Sequence, residues 1–307
     1  MTLLVVLAMA ASTFSAPLTL PKVAKVEMSV ERSREDVRNG EMKSASAFTR
    51  YEKTIEARDG GYRVTLKPVE TRLPELPSET DQAKLQAAVE NLTNHTFVYA
   101  ADESLAPKSM EGWSSIIAEI RKTLTALVGD SPEGQQALGA VVPVFERMNP
   151  QQAAAVLLKE DGFLTIPVNV DLEAGKPHTY EDRLPNPLGG PPIKADGVIA
   201  LETIDTARNV AVVRWTLTLN AQSAKDSMAV ALEALAARMP QKPGAPDPRT
   251  ALASLKLDRT SGCLYEIDLK TGLPLKADCE SLITSSDPSG QTATRTERWV
   301  ITQSLKT

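Results

Sequence analysis

Both cysteines of this 307-residue chain lie in one short stretch, Cys263 to Cys279, and the residues between them admit one simple arrangement. An antiparallel hairpin turning on Lys270-Thr271-Gly272, with Gly272 at the left-handed position of a three-residue loop, brings Cys263 directly opposite Cys279. Cross-strand Cβ atoms in such a pair come within disulfide reach. The same register collects Tyr265, Ile267, Leu269, Leu273, Leu275 and Ala277 on one face and sends Glu266, Asp268, Lys276 and Asp278 to the other, Glu266 facing Lys276. Sulfur pairing, apolar alternation and charge pairing agree, so a disulfide between Cys263 and Cys279 is expected. A cross-link of this loop size stabilises by about 3 kcal/mol in the chain-entropy account. Tetrahedral zinc would need further ligands, and only His95 and His178 exist, so no metal is expected.

A disulfide implies an oxidising compartment, and the N-terminus agrees. No charge precedes Lys22, Leu3–Ala11 is a continuous apolar run, and Ser12, Ser15 and Ala16 follow ahead of Pro17. This predicts a signal peptide over residues 1–16, cleaved near Ala16 or earlier near Ala10, and an exported protein, periplasmic or extracellular. The alternative is a buried N-terminal strand. The run is too short for a transmembrane span.

The rest, residues 17–307, is expected to form one domain. Alternation of Val26, Met28 and Val30 with Glu27, Ser29 and Glu31, and turns at Asn39-Gly40 and Asp59-Gly60, predict a three-stranded meander over Val23–Leu73. Pro77-Ser78-Glu79-Thr80 precedes a helix through Leu92, and a short strand Phe97–Ala101 follows. Trp113, Ile116, Ile117, Ile120, Leu124, Leu127 and Val128 form a wide helical stripe ended by Gly129. Asn149-Pro150 caps a further helix, expected to stop at Asp161-Gly162. Phe163–Leu172 reads as a strand interrupted by Pro167, and His178, Tyr180 and Asp182 as a polar loop. Val198–Ile204 and Val210–Leu219 form a hairpin with Ala211, Val213, Trp215, Leu217 and Leu219 on one face. A helix from Ser223 to Met239, a proline-rich connector at 240–248, the disulfide hairpin and a last hairpin turning at Asp287–Gly290 complete the chain. Strands, helices, strands, helix, strands is an α+β order: a curved antiparallel sheet, half-barrel-like, with helices inserted mid-chain covering one face.

Function classes are narrowed mostly by exclusion. Net charge is −5 with both signs interspersed, so no nucleic-acid partner is expected. Aromatics make up 4% of residues, too few for walls that stack sugars or bases. The chain lacks G-x-S-x-G, S-x-x-K, a P-loop, G-x-G-x-x-G and H-E-x-x-H. Neither histidine has a catalytic setting, and the carboxylate pairs Glu266/Asp268 and Glu52/Glu56 read as solvated. No enzyme activity and no cofactor are expected. Asn91-Leu92-Thr93 and Asn94-His95-Thr96 match the glycosylation sequon, which matters only in a eukaryotic secretory pathway.

The element order, the Val210–Leu219 strand, the Asp268–Pro274 turn and the terminal hairpin resemble the periplasmic lipoprotein-carrier superfamily. The resemblance implies an incomplete barrel plugged by helices, its concave face holding acyl chains. That family begins its mature chain with a helix, where this one begins with strands, and no functional residue carries over. The expectation is therefore an exported binding protein for an apolar, lipid-like small molecule, with Val213, Trp215, Leu217, Leu219, Tyr265 and Ile267 lining the site. The alternative is a structural or interaction protein of the cell envelope with a solid core, its partner another envelope protein.

Overall fold

A computed structural model describes residues 13–72, 95–128, 132–184, 191–236, 256–286 and 291–306, with isolated helical positions at 83, 86 and 87. These described residues build one open antiparallel sheet of eleven strands, curved and covered by helices on one face. Its first half is the expected meander: β2 (Val23–Arg38), β3 (Glu41–Arg58) and β4 (Gly61–Arg72), extended by β5 (Phe97–Ala101) and the edge strand β6 (Pro107–Met110). Its second half runs from the other edge as β8 (His178–Leu184), β9 (Ile193–Asp205), β10 (Val210–Leu219), β11 (Lys256–Asp268), β12 (Pro274–Ser286) and β13 (Thr292–Leu305). The halves join at the centre, where β13 pairs with β2 from Ala293↔Arg38 to Leu305↔Val26. A separate two-stranded ribbon pairs β1 (Thr13–Phe14) with β7 (Leu172–Glu173).

Strand periodicity decides which side is covered. Ala24, Val26, Met28 and Val30 on β2, Trp299 and Ile301 on β13, and Val213 and Trp215 on β10 are buried on the inward face. The outward face carries ion pairs: Arg298 with Asp278, Arg214 with Glu202, and Arg50 with Glu27 and Glu70. Such exposed pairs add little stability and keep that face wet.

Among the described residues the helices are α1 (Trp113–Val128), α2 (Pro132–Glu146), α3 (Pro150–Leu157), α4 (Lys159–Thr165) and α5 (Ala221–Ala236). α1 packs on α2, α3 on β6, α4 on β12 and β13, and α5 on β9 and β11. Asn149 caps α3 as expected: its side chain accepts from the Gln152 amide while Gln152 reaches back to the Asn149 amide.

From Cys263 to Glu266 the disulfide hairpin has the expected register; a bulge after Glu266 then shifts the pairing, setting Ile267 opposite Pro274 in place of Leu275. Cys263 faces Cys279 and the two are bonded, Glu266 faces Lys276, and Gly272 takes φ +67°. Gly272 serves packing as well. A Cβ there would press on the carbonyl oxygens of Ala16 and Pro17, because the entering chain crosses this turn and Thr19 donates its amide to the Thr271 carbonyl.

Three expectations are corrected. The helical region does not stop at Asp161-Gly162, and Phe163–Leu172 is not a strand. α4 runs through to Thr165 because Leu158, Asp161 and Leu164 bury at helical spacing; Pro167 then ends it, and strand structure returns only at Leu172. His178, Tyr180 and Asp182 belong to edge strand β8, where the Tyr180 ring covers Gly197 on β9 and the Tyr180 hydroxyl oxygen accepts the Trp215 indole N–H at 2.7 Å. Helix α2 went unanticipated because Gly134, Gly139 and Pro143 break its apolar pattern. The helix expected to end at Leu92, outside those isolated positions, the sequons except His95 and Thr96, the 240–248 connector and the Asp287–Gly290 turn lie outside the described residues.

Candidate functional site

The six side chains nominated from the sequence share the inward face, as their alternation requires, and all are buried at 0–9% exposure. Phe163 of α4 lies over this region, its ring 6.5 Å from Trp215 and 5.1 Å from Trp299. Tyr265 donates its hydroxyl to the Phe163 carbonyl at 3.0 Å. Val213, Trp215, Leu217, Tyr265 and Ile267 join the main core, while Leu219 packs with Ile193, Ala224 and Met228 beneath α5. Cys263 and Cys279 occupy the same inward row.

The other residues singled out lie apart. His95 meets Phe97 edge-on beside β5, and His178 stacks on Tyr180 at the opposite edge of the sheet, so the two cannot share a site. Asp268 holds the hairpin turn, accepting from the amides of Lys270 and Thr271 and from the Thr271 hydroxyl. Glu266 pairs with Arg208, Glu52 with Lys306 and Glu56 with Arg58.

Following the inward face along β2 shows an abrupt change of chemistry. Buried Ala24, Val26, Met28 and Val30 give way to Arg32, Arg34, Asp36 and Arg38. Register carries the change across the sheet: Cys263, Cys279, Trp299, Arg32 and Ala47 form one cross-strand row, and Arg259, Ile283, Arg295, Asp36 and Lys43 another, two rows further out. Lys159, at the start of α4, marks the boundary. Its ammonium sits 3.9 Å from the Trp299 ring centre and 3.5 Å from Glu297, and burial pushes its pKa down against the pull of that carboxylate.

Beyond this boundary a cleft of about 650 Å³ opens among the described residues, lined by Arg34, Asp36, Arg38, Lys43, Ile283 and Arg295 among others. Asp36 organises it: one carboxylate oxygen accepts from Arg34 Nε at 2.6 Å, the other from Arg295 Nε at 2.7 Å. The Arg34 hydrogen bond, then that of Arg295, holds the Asp36 carboxyl below the usual range. Arg259 in the same row has its Nε buried without a partner, and burial lowers its pKa.

A second polar group lies inside the core. Lys53 of β3 and Asp161 of α4, 4% and 2% exposed, form a buried ion pair. The Tyr99 side chain is fully buried near Asp161; desolvation, then the Asp161 charge, raises its pKa well above the ordinary tyrosine value. Tyr51 is pushed up to about 12, first by desolvation and then by Glu160. Neither the arginine row nor Lys53 was singled out from the sequence. The signal was present: the two-residue alternation of β2 continues without a break from Val30 into Arg32, Arg34 and Asp36.

No family model and no curated protein matches the sequence. Among solved structures, the fold is similar to one described as lipid–protein interactions in lipovitellin, with a TM-score of 0.47 and 10% identity over 94% of this chain. The match spans 25% of the lipovitellin chain.

Proposed function

We propose that this chain is a non-catalytic binding protein for a lipid-like ligand, held on the inward face where the helices leave the sheet uncovered. The open cleft between the β2–β3 and β12–β13 ends carries this reading: its volume of about 650 Å³ falls within the range of small-molecule sites. Ile283, Ala293 and the aliphatic stems of the arginines supply apolar surface there. The location differs from the expected one, since Val213, Trp215, Leu217, Leu219, Tyr265 and Ile267 are already covered. The disulfide supports an exported protein, because such bonds persist outside reducing compartments.

The burial of those six side chains favours a second reading, an envelope interaction protein with a solid core and no ligand. Native mass spectrometry of protein purified from its own host separates the two. The binding reading expects a mass above that of the polypeptide, lost on solvent extraction and regained on adding back the extract. A bare polypeptide mass with no uptake of added fatty acid or phospholipid overturns it and leaves the interaction protein.

A further inference from the structure

The uncovered end of the inward face has a sign of charge opposite to that of the chain. The protein carries a net −5, yet Arg32, Arg34, Arg38, Lys43, Arg259 and Arg295 lie on this face against Asp36, Glu41 and Glu297. Arg38, Lys43 and Arg259 make no ion pair among the described residues. Arg34 and Arg295 do, but only through Nε, both to the single carboxylate of Asp36. Their terminal amino groups make no hydrogen bond among the described residues. One acid therefore fixes two guanidiniums side by side and leaves their forked ends unspent, the arrangement that suits an oxyanion bound by several N–H groups at once.

Position adds to this. The row lies two steps beyond Trp299, where the apolar core ends and Lys159 covers the indole. Arg32 to Arg38 spans about 20 Å of strand, long enough to carry a head group and the first part of a chain. Resting on the binding function proposed above, we infer that this cleft is an anion site: Arg34 and Arg295, aligned by Asp36 and assisted by Arg38 and Lys43, hold the phosphate or carboxylate group of an amphiphilic ligand.

The test uses the full chain and three probes in titration calorimetry: dodecyl phosphate, dodecyl maltoside with the same tail and a neutral head, and inorganic phosphate with no tail. Dodecyl phosphate should bind more tightly than the maltoside by about tenfold or more, the worth of a charge-assisted contact. Arg34→Ala, Arg38→Ala and Arg295→Ala should each erase most of that gap. Arg298→Ala removes the same charge from the outward face, where it pairs with Asp278, and should leave the gap intact. Arg34 and Arg295 are 41% and 43% exposed, so these variants should fold, with near-UV circular dichroism as the check. Equal binding of both detergents, unchanged in the arginine variants, overturns the anion site while the lipid-binding reading stands. Arginine-dependent binding of inorganic phosphate with no gain from the dodecyl tail supports the anion site and removes the lipid. No binding of any probe overturns both.

Discussion

Lys53 and Asp161 meet where water does not reach, so neither can lose its partner cheaply. Removing one member of such a pair leaves a desolvated charge and costs about 3–5 kcal/mol, whereas replacing both with apolar groups of similar volume is close to neutral. Asp161→Ala is accordingly expected to destabilise by about that amount, and Lys53→Met with Asp161→Leu to recover most of the loss in urea unfolding. A double variant as unstable as the single one would show that the loss comes from the missing pair and its packing and not from a stranded charge. Lys53 was hard to find because lysine is normally a solvent residue. Its neighbours Tyr51 and Ile55, two positions away on either side, place it on the inward face all the same. The disulfide was easy by comparison, since three independent patterns fixed one register there.

At the level of elements, strongly alternating strands were legible and mixed segments were not. β2, β4, β10 and the disulfide hairpin follow from period-two patterns, whereas α4 hid behind Gly162, which reads as a stop although it donates its amide to Leu158 within the helix. The N-terminal ribbon bears on the expected leader. Phe14 is 3% exposed, part of the main core, and pairs with Leu172. Cleavage near Ala16 would discard it and about 2 kcal/mol of burial, while cleavage near Ala10 keeps it. On export, the mature chain is expected to begin at or before Thr13, read by N-terminal sequencing of secreted protein; a start at Pro17 would show that β1 is dispensable.

Across the whole molecule, the sheet has two regimes along its long strands. The inward side chains of β2 are buried from Ala24 to Val30 and open from Arg32 to Arg38. Backbone hydrogen bonds without a buried side-chain layer open more readily. Amides in Arg32–Ala47 are therefore expected to exchange with deuterium faster than those of Val23–Val30, and equal protection would mean that something covers the open end in solution. The α+β class and the helix-covered open sheet were readable from element order. Hairpin partners were readable from their turns, but partners distant in sequence were not, because hydrophobic pattern fixes a strand's face and leaves its neighbour unspecified. The central seam is the clearest case: β2, near the start of the chain, pairs with β13, near its end. β2 ends at Arg38 and β13 begins at Thr292, so a ribosome must add more than 250 residues before β2 meets its central neighbour. Until then the emerging meander presents a long unpaired edge, and the first half waits on β13. Contacts this distant in sequence slow folding and prolong exposure to aggregation, so this fold places its greatest demand on whatever keeps the nascent chain extended until β13 emerges.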